Sequence, residues 1–163
     1  MRLLATWVFL ATLMFYTPLL AQNFQMVPST APRGGSGSLL VTFHSPKGME
    51  PIALQWKIAL GAQVTAAQED LIAGDAATDG GKTLTCSPGA SPAQARPTYI
   101  CILAGGRKAI ANGTIFLVKY KIKPDAKPGV EMLRVSDGIA VPQEPPPLQR
   151  IPLAPVEGTI TIR

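Results

Sequence analysis

Apolar and polar residues alternate along several short stretches of the chain. In "IALQWKIAL", residues 52–60, Leu54, Trp56, Ile58 and Leu60 fall on one side, and Gln55, Lys57 and Ala59 on the other. A period of two marks a half-buried strand, and Trp56 is the natural large anchor for a core. "SLLVTF", Ser38 to Phe43, precedes it. "KTLTC" and "TYICILAGG" follow, with Tyr99, Cys101 and Leu103 alternating against Ile100, Ile102 and Ala104. In "GTIFLVKYKIKPDAKPG", Phe116, Val118, Tyr120 and Ile122 line one side; opposite them stand Ile115 and Leu117, then Lys119 and Lys121. That strand is expected to be buried on both faces at its start and solvated on one at its end. Pro124 lacks an N–H and cannot continue a central ladder.

"VEMLRVSD" and "GIAV" read as two further strands, and "GTITIR" as the last. "PQEPPPLQRIPLAPVEG" reads as an extended, partly polyproline II loop. "TAAQEDLIAGDAA" leaves two readings open, a short helical turn or a strand and loop. Turn signals recur about every ten residues and helix is scarce, which predicts an all-β fold: an antiparallel β-sandwich of jelly-roll topology with about nine strands.

The first 21 residues have a different character. Arg2 is followed by an almost unbroken apolar run from Leu3 to Leu20, with the small Ala21 at the expected cut. This is the anatomy of a secretory signal peptide over residues 1–21. An uncleaved signal anchor is the alternative. Residues 22–37, rich in Gly, Pro and Ser, read as a flexible lead-in, and 38–163 as the folded domain.

Export changes the reading of the two cysteines. Cys86 and Cys101 are an even pair, expected to form a structural disulfide. Charge changes less. The net charge is +5, only 15% of residues are charged, and the lysines are scattered. Nucleic-acid binding normally needs a stronger basic field with aromatic platforms.

Candidate chemistry is sparse. His44 in "FHSP" reads as a surface turn, with no nucleophile or base partner beside it. Asp70, Asp75 and Asp79 are too widely spaced for an EF-hand calcium loop. Asn112–Gly113 reads as a turn before a strand. No catalytic residue, cofactor or metal is expected, and the protein is read as a non-enzyme. The mature aromatics fall mainly on apolar strand sides, which weighs against a sugar-stacking platform.

"ANGTIFLVKYKIKPDAKPGVEMLRVSDGIAV", followed by the closing "GTITI", resembles the C-terminal half of bacterial cohesin domains. Those show a strand of the form G-x-I followed by alternating apolar positions, a P-D/E-A-x-x-G turn, and a closing G-x-I-x-I strand. "IALQWKIAL" resembles the early strand that carries a cohesin's aromatic residue. The resemblance spans roughly Ser38 to Ile162. It implies a nine-stranded jelly roll that binds a protein partner, such as a dockerin-like module, through one sheet of the sandwich. From strand alternation, Gln55, Lys57, Lys119 and Lys121 are the expected partner-binding residues on such a face. A carbohydrate-binding module and a structural domain of an envelope or secretion apparatus are the alternatives. Binding of nucleic acid is not expected, and membrane association only through an uncleaved signal.

Overall fold

The computed structural model describes residues 22–89, 96–143 and 149–163. The signal peptide expected at residues 1–21 lies outside the described residues, as do residues 90–95 and 144–148. Among the described residues twelve strands form two stacked sheets. The smaller sheet holds β1 (Asn23–Met26), β3 (Ser36–His44), β9 (Gly113–Ile122), β5 (Val64–Thr65) and β6 (Leu71–Ala73). The larger runs in the order β2 (Ser29–Ala31), β12 (Val156–Ile162), β10 (Gly129–Pro142), β4 (Pro51–Ala59), β8 (Thr98–Ala104), β7 (Thr83–Pro88). β11 (Ile151–Leu153) pairs with the second half of β10. The pairs are antiparallel except β2 and β12, which run parallel and bring the two ends of the domain together. The expected β-sandwich is therefore present.

The core forms where the alternation predicts. Leu54, Trp56, Ile58 and Leu60 are buried from one sheet, and Phe116, Val118, Tyr120 and Ile122 from the other. Trp56 stacks on Phe116 across the sandwich, with ring centroids 4.7 Å apart. Phe24 meets Trp56 edge-on at 5.9 Å. Offset and edge contacts of this kind add about 0.5–1.5 kcal/mol beyond simple burial.

Three expectations are corrected, and one left open is resolved. The segment 22–37 is not a flexible lead-in: it holds β1, β2 and the start of β3. β1 inserts Phe24 between Phe43 and Trp56, and the Pro and Gly residues mark turns between strands too short for their alternation to be read. "VEMLRVSD" and "GIAV" form a single 14-residue strand, β10. Its register shifts between Ser136 and Ile139, where Asp137 adopts a left-handed φ of 53°. That bulge looked like a strand break in the sequence. The proline-rich loop contributes β11, with Ile139 paired to Pro152; its residues 144–148 lie outside the described residues. The ambiguous "TAAQEDLIAGDAA" holds both alternatives: a 3-10 turn at Gln68–Asp70, β6, and a short helix α1 (Asp75–Asp79). Gly74 is the residue that precedes and caps that helix. A Cβ there would lie 2.4 Å from the Thr114 carbonyl oxygen, so only glycine allows this approach to β9.

Cys86 and Cys101 are directly paired across β7 and β8 and form the expected disulfide, with a Cα–Cα distance of 4.0 Å. It ties the edge strand of the larger sheet to its neighbour. Asn112 closes one end of the sandwich: its Oδ1 accepts from the Ser45 N–H (2.6 Å) and its Nδ2 donates to the Ser45 carbonyl (3.0 Å). Gln22 is buried there too, its amide donating to Ser45 Oγ and the Met49 carbonyl.

Candidate partner-binding face

The outer face of the larger sheet is built from alternate residues of β7, β8, β4 and β10. Their partners on the inner side are in the core, so these side chains point to solvent. Strand pairing arranges them in two rows. One runs Thr85, Ile102, Gln55, Ile139; the next runs Ser87, Ile100, Lys57, Ser136. Ile100 and Ile102 are 43% and 45% exposed, large values for isoleucines on an inner strand of a sheet. Polar Thr85, Ser87, Gln55 and Lys57 flank them on both neighbouring strands. Further along β10, Met132 and Val130 are 45% and 62% exposed. Arg134 and Glu157 form an exposed ion pair at 3.7 Å between β10 and β12; such a pair contributes little to stability. The arrangement is a broad face on which exposed apolar side chains of β8 and β10 alternate with polar groups of β7 and β4, the mixture of apolar anchors and polar surroundings found at protein interfaces.

Beta-branched residues explain why a strand can carry this face. Isoleucine suits the pleated surface whether or not its side chain is covered. The Asp137–Gly138 bulge twists β10 at the border of the patch. A Cβ on Gly138 would meet Leu153 at 2.8 Å and Phe24 at 3.0 Å, so the bulge is packed tightly from behind.

The four sequence-predicted residues do not share one face. Gln55 and Lys57 lie on the outer face of the larger sheet. Lys119 and Lys121 lie on β9, on the outer face of the smaller sheet, at the opposite side of the molecule. Alternation places a residue on the outside of its own strand and carries no information about which sheet the strand joins. Ile100, Ile102 and Met132 escaped the sequence reading because apolar residues on both sides of a strand suggest burial on both. The only legible signal was that Ile100 and Ile102 alternate against residues already assigned to the core.

Few groups show the perturbed titration typical of active sites. Burial lowers the pKa of Lys82, whose ammonium donates to the Gly105 carbonyl at 2.6 Å. Burial, and then the charges of Glu69 and Asp70, raise that of Tyr99, whose hydroxyl donates to the Ala66 carbonyl at 2.7 Å. Both make structural hydrogen bonds. His44 is exposed at the end of β3. Asp70 caps its own turn by accepting from the Ala67 N–H, and Asp75 and Asp79 sit at the two ends of α1. Among the described residues no group of three His, Cys, Asp or Glu is arranged to hold a metal ion, and no helix is long and apolar enough to cross a membrane.

The fold is a two-sheet β-sandwich whose larger sheet exposes apolar side chains on its outer face. Its solved counterparts are cohesin domains. A non-cellulosomal cohesin from the archaeon Archaeoglobus fulgidus superposes with a TM-score of 0.66 at 11% identity, over 87% of this chain and 91% of that one. A cohesin from a type I cohesin–dockerin complex of Clostridium thermocellum gives 0.66 at 16% identity, over 87% and 99%. Another complex from the same organism gives 0.70 at 11% identity, over 86% and 92%. No family model and no curated protein matches the chain. The chain has the cohesin fold.

Proposed function

We propose that this protein is an exported, non-catalytic recognition module that binds a protein partner of the dockerin type through the outer face of its larger sheet. One observation carries the reading: Ile100 and Ile102 stand exposed on β8, next to the edge strand of that face, flanked by Thr85 and Ser87 on β7 and by Gln55 and Lys57 on β4. Apolar anchors inside a polar rim supply most of the energy in such interfaces. Several structures sharing the fold were solved in complex with dockerins. Export is supported by the charged, then apolar, then small-residue order of residues 1–21 and by a disulfide suited to an oxidising compartment. Gln55 and Lys57 contribute to the rim.

Isothermal titration against a panel of dockerin modules tests this. Binding by the wild type and its loss in Ile100→Asp/Ile102→Asp is the expected result. Binding that survives the double substitution moves the site elsewhere. Failure of every dockerin to bind removes that partner class.

A further inference from the structure

The opposite side of the molecule holds a second, chemically different feature. On the outer face of the smaller sheet, Ser36, Ser38, Asp70, Lys119 and Lys121 line an open groove of about 400 Å³. Pairing sets the arrangement: Ser36 stands directly opposite Lys121, and Ser38 opposite Lys119. The two lysines are two residues apart on one strand face, about 7 Å between Cα atoms. Among the described residues neither has an ion pair. Asp70 is occupied through one oxygen by the Ala67 N–H, leaving its carboxylate able to accept further bonds.

The basic character continues beyond the groove. The Ile122 N–H donates to the Gly35 carbonyl at 2.8 Å, holding the end of β9 against the turn that carries Arg33. Lys123 and Lys127 are both held by Gln63, through its carbonyl and its side-chain oxygen. Of the carboxylates nearby, Glu131 is hydrogen-bonded by the Gln63 amide, and Asp125 lies in the turn itself. Over this end of the sandwich Arg33, Lys119, Lys121, Lys123 and Lys127 outnumber Glu69, Asp70, Asp125 and Glu131 by one, and the basic excess lies at the paired lysines of the groove.

We infer that this groove binds a uronate-bearing polysaccharide. The two ammonium groups require fixed negative charges. The serine hydroxyls and the Asp70 carboxylate require a ligand with hydroxyl groups. A chain that carries both on successive units meets both demands. A neutral glycan would need an aromatic platform, and the groove's one aromatic residue, Tyr120, is only 1% exposed and bonded to Ser29 Oγ. An anionic bilayer is the competing polyanion. It favours apolar side chains that insert beside the lysines; the groove itself is lined by hydroxyls and the Asp70 carboxylate, which repels anionic headgroups, while the half-exposed Leu40 in the next row is the one feature a bilayer would use, so vesicles form one arm of the test. The inference concerns the face away from the proposed partner site and does not depend on dockerin binding.

Affinity electrophoresis in gels containing polygalacturonate provides the test, with dextran gels and phosphatidylglycerol vesicles as the other arms. The wild type should be retarded by polygalacturonate and not by dextran. Retardation should fade between about 0.05 and about 0.5 M salt, as exposed charges are screened. Lys119→Glu/Lys121→Glu should weaken binding at least about tenfold, because like charges then face each other. Arg107→Glu/Lys108→Glu, the same change in net charge in the β8–β9 loop, should leave it unchanged, and circular dichroism should show both variants folded. The inference is overturned if polygalacturonate does not retard the wild type, if both charge reversals weaken binding equally, or if only the vesicles bind.

Discussion

Two strands with similar sequences end in different surroundings. β8, "TYICILA", and the first half of β9, "GTIFLV", are apolar on both sides. On β9 that pattern is covered. Ile115 is fully buried where β6 pairs alongside the strand and leads into α1, the Gly74 N–H extending the ladder to the Ile115 carbonyl at 2.9 Å. On β8 the outward residues Ile100 and Ile102 have no such cover and remain exposed. One stretch completes the core and the other creates an apolar outer face. Further along β9 the lysines take over, so the two outer faces of the sandwich differ in kind: apolar with a polar rim on the larger sheet, basic and grooved on the smaller.

The broadest perturbation is one that removes what both faces share. Trp56→Ala deletes the side chain that joins the two sheets through Phe116 and Phe24. It should cost about 3–5 kcal/mol and weaken both faces together, as denaturant unfolding followed by binding assays will show. If one face survived intact at full affinity, the sheets would not depend on a common core.

Cutting the disulfide acts on one side only. Cys86→Ala/Cys101→Ala opens a loop of 15 residues and should cost roughly 3 kcal/mol. Hydrogen exchange should rise first in β7 and β8, beneath Ile100 and Ile102, while β3 and β9 keep their protection.

Ile102→Asp alone leaves the core untouched. It should reduce affinity for a protein partner by about 2 kcal/mol with little change in melting temperature, since the side chain is already 45% exposed. Lys119→Glu should leave that affinity as it is.

The smallest effect concerns pH. Tyr99 titrates above its ordinary value of 10.0 in the folded state. The native state therefore holds this proton more tightly than the unfolded chain, and the associated stability is present below pH 10 and lost as pH rises past it. Tyr99→Phe should remove that alkaline decline, at a cost of about 1 kcal/mol from the lost hydrogen bond to Ala66. A urea titration repeated across the alkaline range reads both effects.

Local alternation was enough to identify the β class, the strands β3, β4, β8 and β9, the inward side of β4 and Trp56 as its anchor. It sufficed because a strand's side chains alternate whatever sheet the strand joins. The cysteine pair was legible on other grounds, as two cysteines in a chain expected to be exported, and long-range pairing of β7 with β8 brings them together. β1, β2 and β11 were not legible. Strands of three or four residues give too few alternations, and their pairing is with residues far along the chain. The Asp137 bulge read as a boundary because a local break in alternation looks the same whether the strand ends or only bends. Nor could the chain reveal that Gln55 and Lys57 lie on one side of the molecule and Lys119 and Lys121 on the other. The choice of neighbouring strand, and of what covers a face, is made by long-range pairing, and that decision turned two similar apolar strands into a buried seam and an exposed surface.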